Sequence, residues 1–115
     1  MHELSTCKTL IHQIENAVED YAECKIKSVT VLIGELARVD VDELVELFPL
    51  ASKDTIAENA ELIVKRDPVK YSCGECQQII IGTGSDLKCT FCHSSQLTLI
   101  SGTEMVLDNI ELEQA

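Results

Sequence analysis

Residues 73–93 read CGECQQIIIGTGSDLKCTFCH, and the spacing of their cysteines decides how the rest of the chain is organised. Cys73 and Cys76 form one C-x-x-C pair and Cys89 and Cys92 a second, with twelve residues between the pairs. Two residues between cysteines let a tight turn aim both thiolates at one point about 2.3 Å away, and two such knuckles close a tetrahedral site around Zn(II). The connecting stretch is shorter than the roughly 15 to 20 residues common in zinc modules, yet Gly82 and Gly84 can turn a two-stranded ribbon of that length. Four protein ligands leave no coordination position for water, so the expected ion is structural, about one per chain, and not hydrolytic.

Three rival chemistries use the same residues. A redox C-x-x-C opens a helix beside a strand, whereas each pair here sits among turn residues. Cys89-Thr90-Phe91-Cys92-His93 matches C-x-x-C-H for haem attachment, but that chemistry belongs to exported proteins and leaves the first pair unused. Disulfides need an oxidising compartment. Met1-His2-Glu3 is neither basic nor followed by an uninterrupted apolar stretch, so no signal peptide and a cytoplasmic location are expected. His93, next to Cys92, can hydrogen-bond a thiolate or displace one as an alternate ligand when pH crosses its titration range near ~6.5; as an exposed turn residue it does neither.

Outward from the cysteines, Val69 to Ser101 holds three of the five glycines and two β-prone pieces, Gln78–Ile81 and Leu97–Ile100. Asp67-Pro68 is a stop signal and marks a boundary. Upstream, apolar residues at Leu4, Cys7, Leu10, Ile11, Ile14, Ala17, Val18 and Tyr21 predict a helix from Leu4 to about Ala22. Cys7 lies on its apolar face, Cys24 follows it, and His12 lies on the polar side. Ile26–Ile33 alternates like a strand and stops at Gly34. Asp40 with Glu43 can cap a second helix near Val41, which Pro49 kinks or shortens. Glu61–Lys65 and Glu104–Leu112 read as further strands. The expected fold is α+β: two helices on a small three-stranded sheet formed by residues 1–68 and 103–115, with a zinc-ribbon-like module, 69–102, inserted late.

The chain has 115 residues, enough for one domain with a small insert. With 45% hydrophobic residues, 3% aromatics and no Trp, its core must be aliphatic. A net charge of −11 repels phosphate backbones, so no nucleic-acid partner is expected; it favours solubility and steering toward cations or basic protein surfaces. No apolar run approaches the 18 or so residues of a membrane helix. No phosphate loop, G-x-S-x-G, H-E-x-x-H or paired acid and base stands out, so no enzyme is expected.

The start of the chain is a potential chelator. The α-amine of Met1, the backbone nitrogen of His2 and its imidazole can form fused rings around one metal, and Ni(II) favours planar nitrogen donors. Binding there releases protons from the amine and imidazole.

Met1-His2-Glu3-Leu4-Ser5, the Ile33-Gly34-Glu35 ending of the first strand, Thr55-Ile56-Ala57-Glu58 with Ala60 and Leu62, and the paired C-x-x-C followed by a last strand resemble the HypA/HybF family of nickel-insertion accessory proteins. The resemblance covers essentially the whole chain. It implies Ni(II) as transient cargo held by the terminal amine, His2 and backbone nitrogens around His2 and Glu3. It further implies a maturation GTPase of the same pathway and the large subunit of [NiFe]-hydrogenase as partners, with urease accessory proteins added in some organisms. Asp54 and Asn59 depart from the pattern, standing where many members have glycine, and Pro49 interrupts the second helix. A zinc-ribbon adaptor that moves no nickel is the alternative function.

Overall fold

The computed structural model describes residues 3–21, 23–82 and 86–114. Its elements are α1 (Glu3–Ala17), β1 (Cys24–Gly34), α2 (Val41–Ala51), β2 (Glu61–Asp67), β3 (Lys70–Cys73), β4 (Ile79–Ile81), β5 (Leu97–Ser101) and β6 (Met105–Gln114), with a 3₁₀ turn at Glu19–Tyr21. Two three-stranded sheets result, ordered β2-β1-β6 and β4-β3-β5. The α+β architecture, with two helices on the first sheet, is the one expected from the sequence.

In the first sheet β1 is central. It runs parallel to β2, with Val29 opposite Leu62 and Val31 opposite Val64, and antiparallel to β6, with Val29 opposite Ile110 and Val31 opposite Leu107. The crossover between the parallel strands contains α2, as parallel pairing requires a long connection. Cys7, Leu10, Ile11 and Ile14 of α1 and Leu44 and Phe48 of α2 are buried with Val29, Val31 and Ile33 in one core. Each such aliphatic or aromatic side chain contributes about 1.5–3 kcal/mol on full burial, so the two helix faces and the central strand carry most of this core.

Helix α1 ends at Ala17, short of the expected Ala22. It has no basic residue in its last turn, and Glu19 and Asp20 follow where the negative end of the helix dipole opposes further acidic charge. The chain instead tightens, Tyr21 N–H donating to the Val18 carbonyl at 2.8 Å. Helix α2 starts where Asp40 accepts the Glu43 N–H at 3.2 Å, and it includes Pro49 in its final turn. There the ring removes a single backbone bond, toward half-exposed Val45, and the helix closes within two residues. Asp54 and Asn59, the two residues at family glycine positions, both adopt left-handed backbone, φ 64° and 69°. Short polar side chains tolerate that region best after glycine, which accounts for both departures.

The second sheet contains a strand absent from the sequence reading. β3, a four-residue strand that begins two residues after Pro68, is central and pairs antiparallel with β4 (Tyr71 opposite Ile80) and β5 (Cys73 opposite Leu97). Its own small core is Cys73, Cys89 and Ile80, with Tyr71, Cys76, Leu87 and Leu97 against it. With two cores the molecule is long, 53 × 29 × 17 Å, and its radius of gyration of 17.5 Å exceeds the roughly 13 Å of a compact chain of similar length.

The chain passes twice between the sheets, at 67–69 and at 101–104, and both passages are fastened to the end of β1. Gly34 N–H donates to the Glu104 carbonyl at 3.0 Å, Glu35 N–H to Asp67 at 3.0 Å, and Leu36 N–H to Gly102 at 2.9 Å. A Cβ on Gly34 would lie 2.2 Å from the Gly102 carbonyl, and one on Gly102, at φ +100°, would lie 2.6 Å from Val69 Cα. Only glycine fits at either place. Among the described residues no helix is long and apolar enough to cross a membrane.

Candidate metal centre

The two C-x-x-C pairs form equivalent turns. Cys73 N–H donates to the Gln78 carbonyl at 2.9 Å and Gln77 N–H returns to the Cys73 carbonyl at 3.0 Å. Sixteen residues later Cys89 N–H donates to Ser94 at 2.9 Å and His93 N–H returns to Cys89 at 2.9 Å. Gln77 and His93 share φ 64°, the left-handed residue that reverses each knuckle. His93 is therefore the counterpart of Gln77: its backbone closes the turn, and its side chain is exposed. That symmetry is written in the spacing of the sequence, but neither Gln77 nor His93 is a usual turn former, so their role was not legible there.

The knuckles face each other. Cys73 Sγ lies 3.6 Å from Cys92 Sγ and Cys76 Sγ 3.5 Å from Cys89 Sγ, and all four sulfurs lie within 4.8 Å of one another. Sulfurs around one ion at about 2.3 Å stand roughly 3.8 Å apart in a tetrahedron, so the cluster has the dimensions of a four-thiolate metal site. All six cysteines are free thiols. Cys73 and Cys89 are buried, Cys76 is half-buried and Cys92 is exposed.

The protons on these sulfurs separate into two kinds. The backbone N–H groups of Cys76 and Glu75 point at Cys73 Sγ and hold it down to about 6. Burial pushes Cys89 upward, but the N–H groups of Cys92 and Phe91 outweigh it and the net direction is down. Cys92 accepts the Ser94 N–H, which lowers it, yet desolvation and the three neighbouring sulfurs push it up to about 12. Cys76, despite the Gln78 N–H, is raised by desolvation and by Cys89 and Cys73. Four adjacent sulfurs cannot all carry negative charge without a cation; a metal ion replaces the retained protons and is the natural occupant.

The expected nickel ligands fall differently. Met1 and His2 lie outside the described residues. Glu3 is the first residue of α1 and is buried. Its Oε1 accepts the Asp40 N–H at 3.1 Å, and its Oε2 has no partner among the described residues. The carboxyl group thus turns inward and joins the start of α1 to the start of α2, a role the sequence pattern did not reveal. One turn on, the Cys7 thiol donates to the Leu44 carbonyl at 3.7 Å, and burial, then Glu3, pushes it up. Cys7 is a core thiol, as its place on the apolar face suggested.

The profile of the family described as hydrogenase/urease nickel incorporation, metallochaperone, hypA matches residues 1–112. The chain belongs to this family. Over 112 residues, 97% of each chain, it is 34% identical to the hydrogenase maturation factor HypA of Nitrosospira multiformis. It is 28% identical to the maturation factor HybF of Salmonella typhimurium over 98% of this chain and all of that one. Among solved structures, that of the Ni metallochaperone HypA from Helicobacter pylori superposes over the whole of both chains with a TM-score of 0.72 at 27% identity. A second solution structure of HypA protein gives 0.75 at 28% identity, over 98% of this chain and 97% of that one.

Proposed function

We propose that this chain carries Ni(II) to the large subunit of [NiFe]-hydrogenase during maturation, and to urease where the host makes one, in concert with the pathway's GTPase. Membership of the nickel-incorporation family over residues 1–112 is the observation that supports it. In this reading nickel is cargo, held by the α-amine of Met1, the His2 imidazole and the backbone nitrogens of His2 and Glu3. Nitrogen donors at a chain end suit release: the ligands are few, and protonation of the amine or imidazole competes with the metal near neutral pH.

Zn(II) is the resident ion of Cys73, Cys76, Cys89 and Cys92. A closed four-sulfur shell supplies no open position, so the ion organises 69–102 and performs no chemistry on a substrate. His93 holds the second knuckle through its backbone and has no assigned bond to the metal. Residues 1–68 with 103–115 form the nickel-binding unit, and 69–102 the zinc-binding one. A host deleted for this chain should accumulate hydrogenase large subunit lacking nickel, and wild-type chain should restore the metal while His2→Ala should not. Restoration by His2→Ala to the wild-type level would reject the proposed cargo site.

A further inference from the structure

The outer edge of β6 has no strand beside it among the described residues, since β6 is the terminal strand of its sheet. Next to that edge an open groove of about 510 Å³ runs between β6 and the end of α1. Ala17, Val18 and Tyr21 form one wall, and Leu107, Ile110 and Leu112 the other. Tyr21 is 55% exposed, a large apolar ring left outside the core.

Charge decides what fits there. Asp108 lies in the groove wall, Glu19 and Asp20 immediately precede Tyr21, and neither Lys nor Arg lines the groove. Among the described residues the one contact with ion-pair geometry is His12 with Glu15, and none involves these acidic groups. Asp108 is also the extra residue of a β-bulge, because Thr30 pairs with Asn109 while Val31 pairs with Leu107. The usable edge is therefore Asn109–Gln114, with the bulged aspartate at its end.

We propose that this edge and groove dock an extended, basic segment of a partner protein. The segment adds to β6 as a strand, its backbone bonding the free edge, its alternate apolar side chains entering the groove and its Lys or Arg residues meeting Asp108, Glu19 and Asp20. A second copy of this chain is disfavoured. Antiparallel β6 pairing centred on Ile110 and Glu111 sets Asp108 of each copy opposite Glu113 of the other, and directly opposed like charges destabilise a ladder. Bulges and edge charges are how sheets refuse copies of themselves; acidic ones still accept a basic strand. This inference does not depend on either metal.

The test is an amide NMR titration of the full chain with a soluble peptide of roughly ten residues that alternates Lys with Val and Leu, and with its counterpart carrying Glu in place of Lys. The basic peptide should shift amides within 107–114 and 17–21, slow hydrogen exchange along Asn109–Gln114, and bind more weakly as salt rises. Asp108→Lys combined with Asp20→Lys, both exposed, should weaken it about tenfold, and Tyr21→Ala several-fold. Equal binding of the acidic peptide, shifts confined elsewhere, or no binding at about 1 mM peptide would overturn the proposal. Self-association that shifts the β6 amides as protein concentration rises would overturn it too, by assigning the edge to a second copy.

Discussion

Glu3 Oε1 accepts the backbone N–H of Asp40 at 3.1 Å, so the residue that follows His2 is bonded, inside the protein, to the cap of α2. The first residue of α1 is thereby tied to the start of α2. Losing the acceptor removes a part-buried hydrogen bond, which costs about 0.5–1.5 kcal/mol. Glu3→Ala should lower stability by that amount in denaturant unfolding. Glu3→Gln retains an acceptor oxygen and removes a carboxyl group whose Oε2 is unpartnered, so it should be near neutral. Equal loss in both variants would mean that the bond to Asp40 contributes nothing.

At the junction of the sheets, Gly34 and Gly102 leave no room for a side chain. Gly34→Ala should destabilise by about 3 kcal/mol, the upper end of overpacking costs, because the obstructing atoms are backbone and cannot rotate away. Gly102→Ala adds strain from its positive φ. Thermal unfolding of either variant within a degree or two of wild type would contradict the close approach.

The loop after α2 permits a test of opposite sign. Asn59 at φ 69° should lose about 1 kcal/mol on substitution by alanine, which pays the left-handed penalty without local hydrogen bonding. Asn59→Gly should match or exceed wild-type stability. Alanine as stable as glycine there would argue against the left-handed conformation.

Much of this was legible in the sequence, and the reasons for the rest are physical. The spacing of Cys73, Cys76, Cys89 and Cys92 is a geometric constraint short enough to read directly, and the three-and-four spacing from Cys7 to Ile14 does the same for α1. β3 was missed because Lys70–Cys73 is too short to show alternation and becomes a strand only through pairing on both sides. The end of α1 was overrun because Tyr21 keeps the apolar period after the backbone has left the helix. Glu3 was read only as part of the Met1-His2-Glu3 chelator, and its bond to Asp40, a neighbour 37 residues away, is one that no local pattern names. The open edge of β6 depends on strand order, which the sequence of one strand does not encode.

Acid should empty the proposed zinc site in a definite window. Cys73, held down to about 6, and Cys89, also lowered, keep thiolate character that is complete above the ordinary thiol value and is lost as pH falls through the folded value. Cys92, pushed up to about 12, and Cys76, also raised, change on the alkaline side of that range. Protons therefore compete with the metal most strongly below about 6. Zinc captured by a chromogenic chelator should rise steeply as pH drops from about 7.5 to 5, and the second sheet should unfold with it. Retention unchanged across that interval would contradict the assignment of these thiols.

The central claim is that nickel binds at the first residues through the α-amine. One added residue before Met1 moves that amine out of its chelate ring and leaves every side chain in place, so the extended chain separates amine ligation from side-chain ligation. His2→Ala removes the imidazole, and zinc content should be unchanged in both. Calorimetric nickel titration of the untagged chain, the extended chain and His2→Ala should give specific binding to the first alone; equal nickel affinity in all three would refute the N-terminal site.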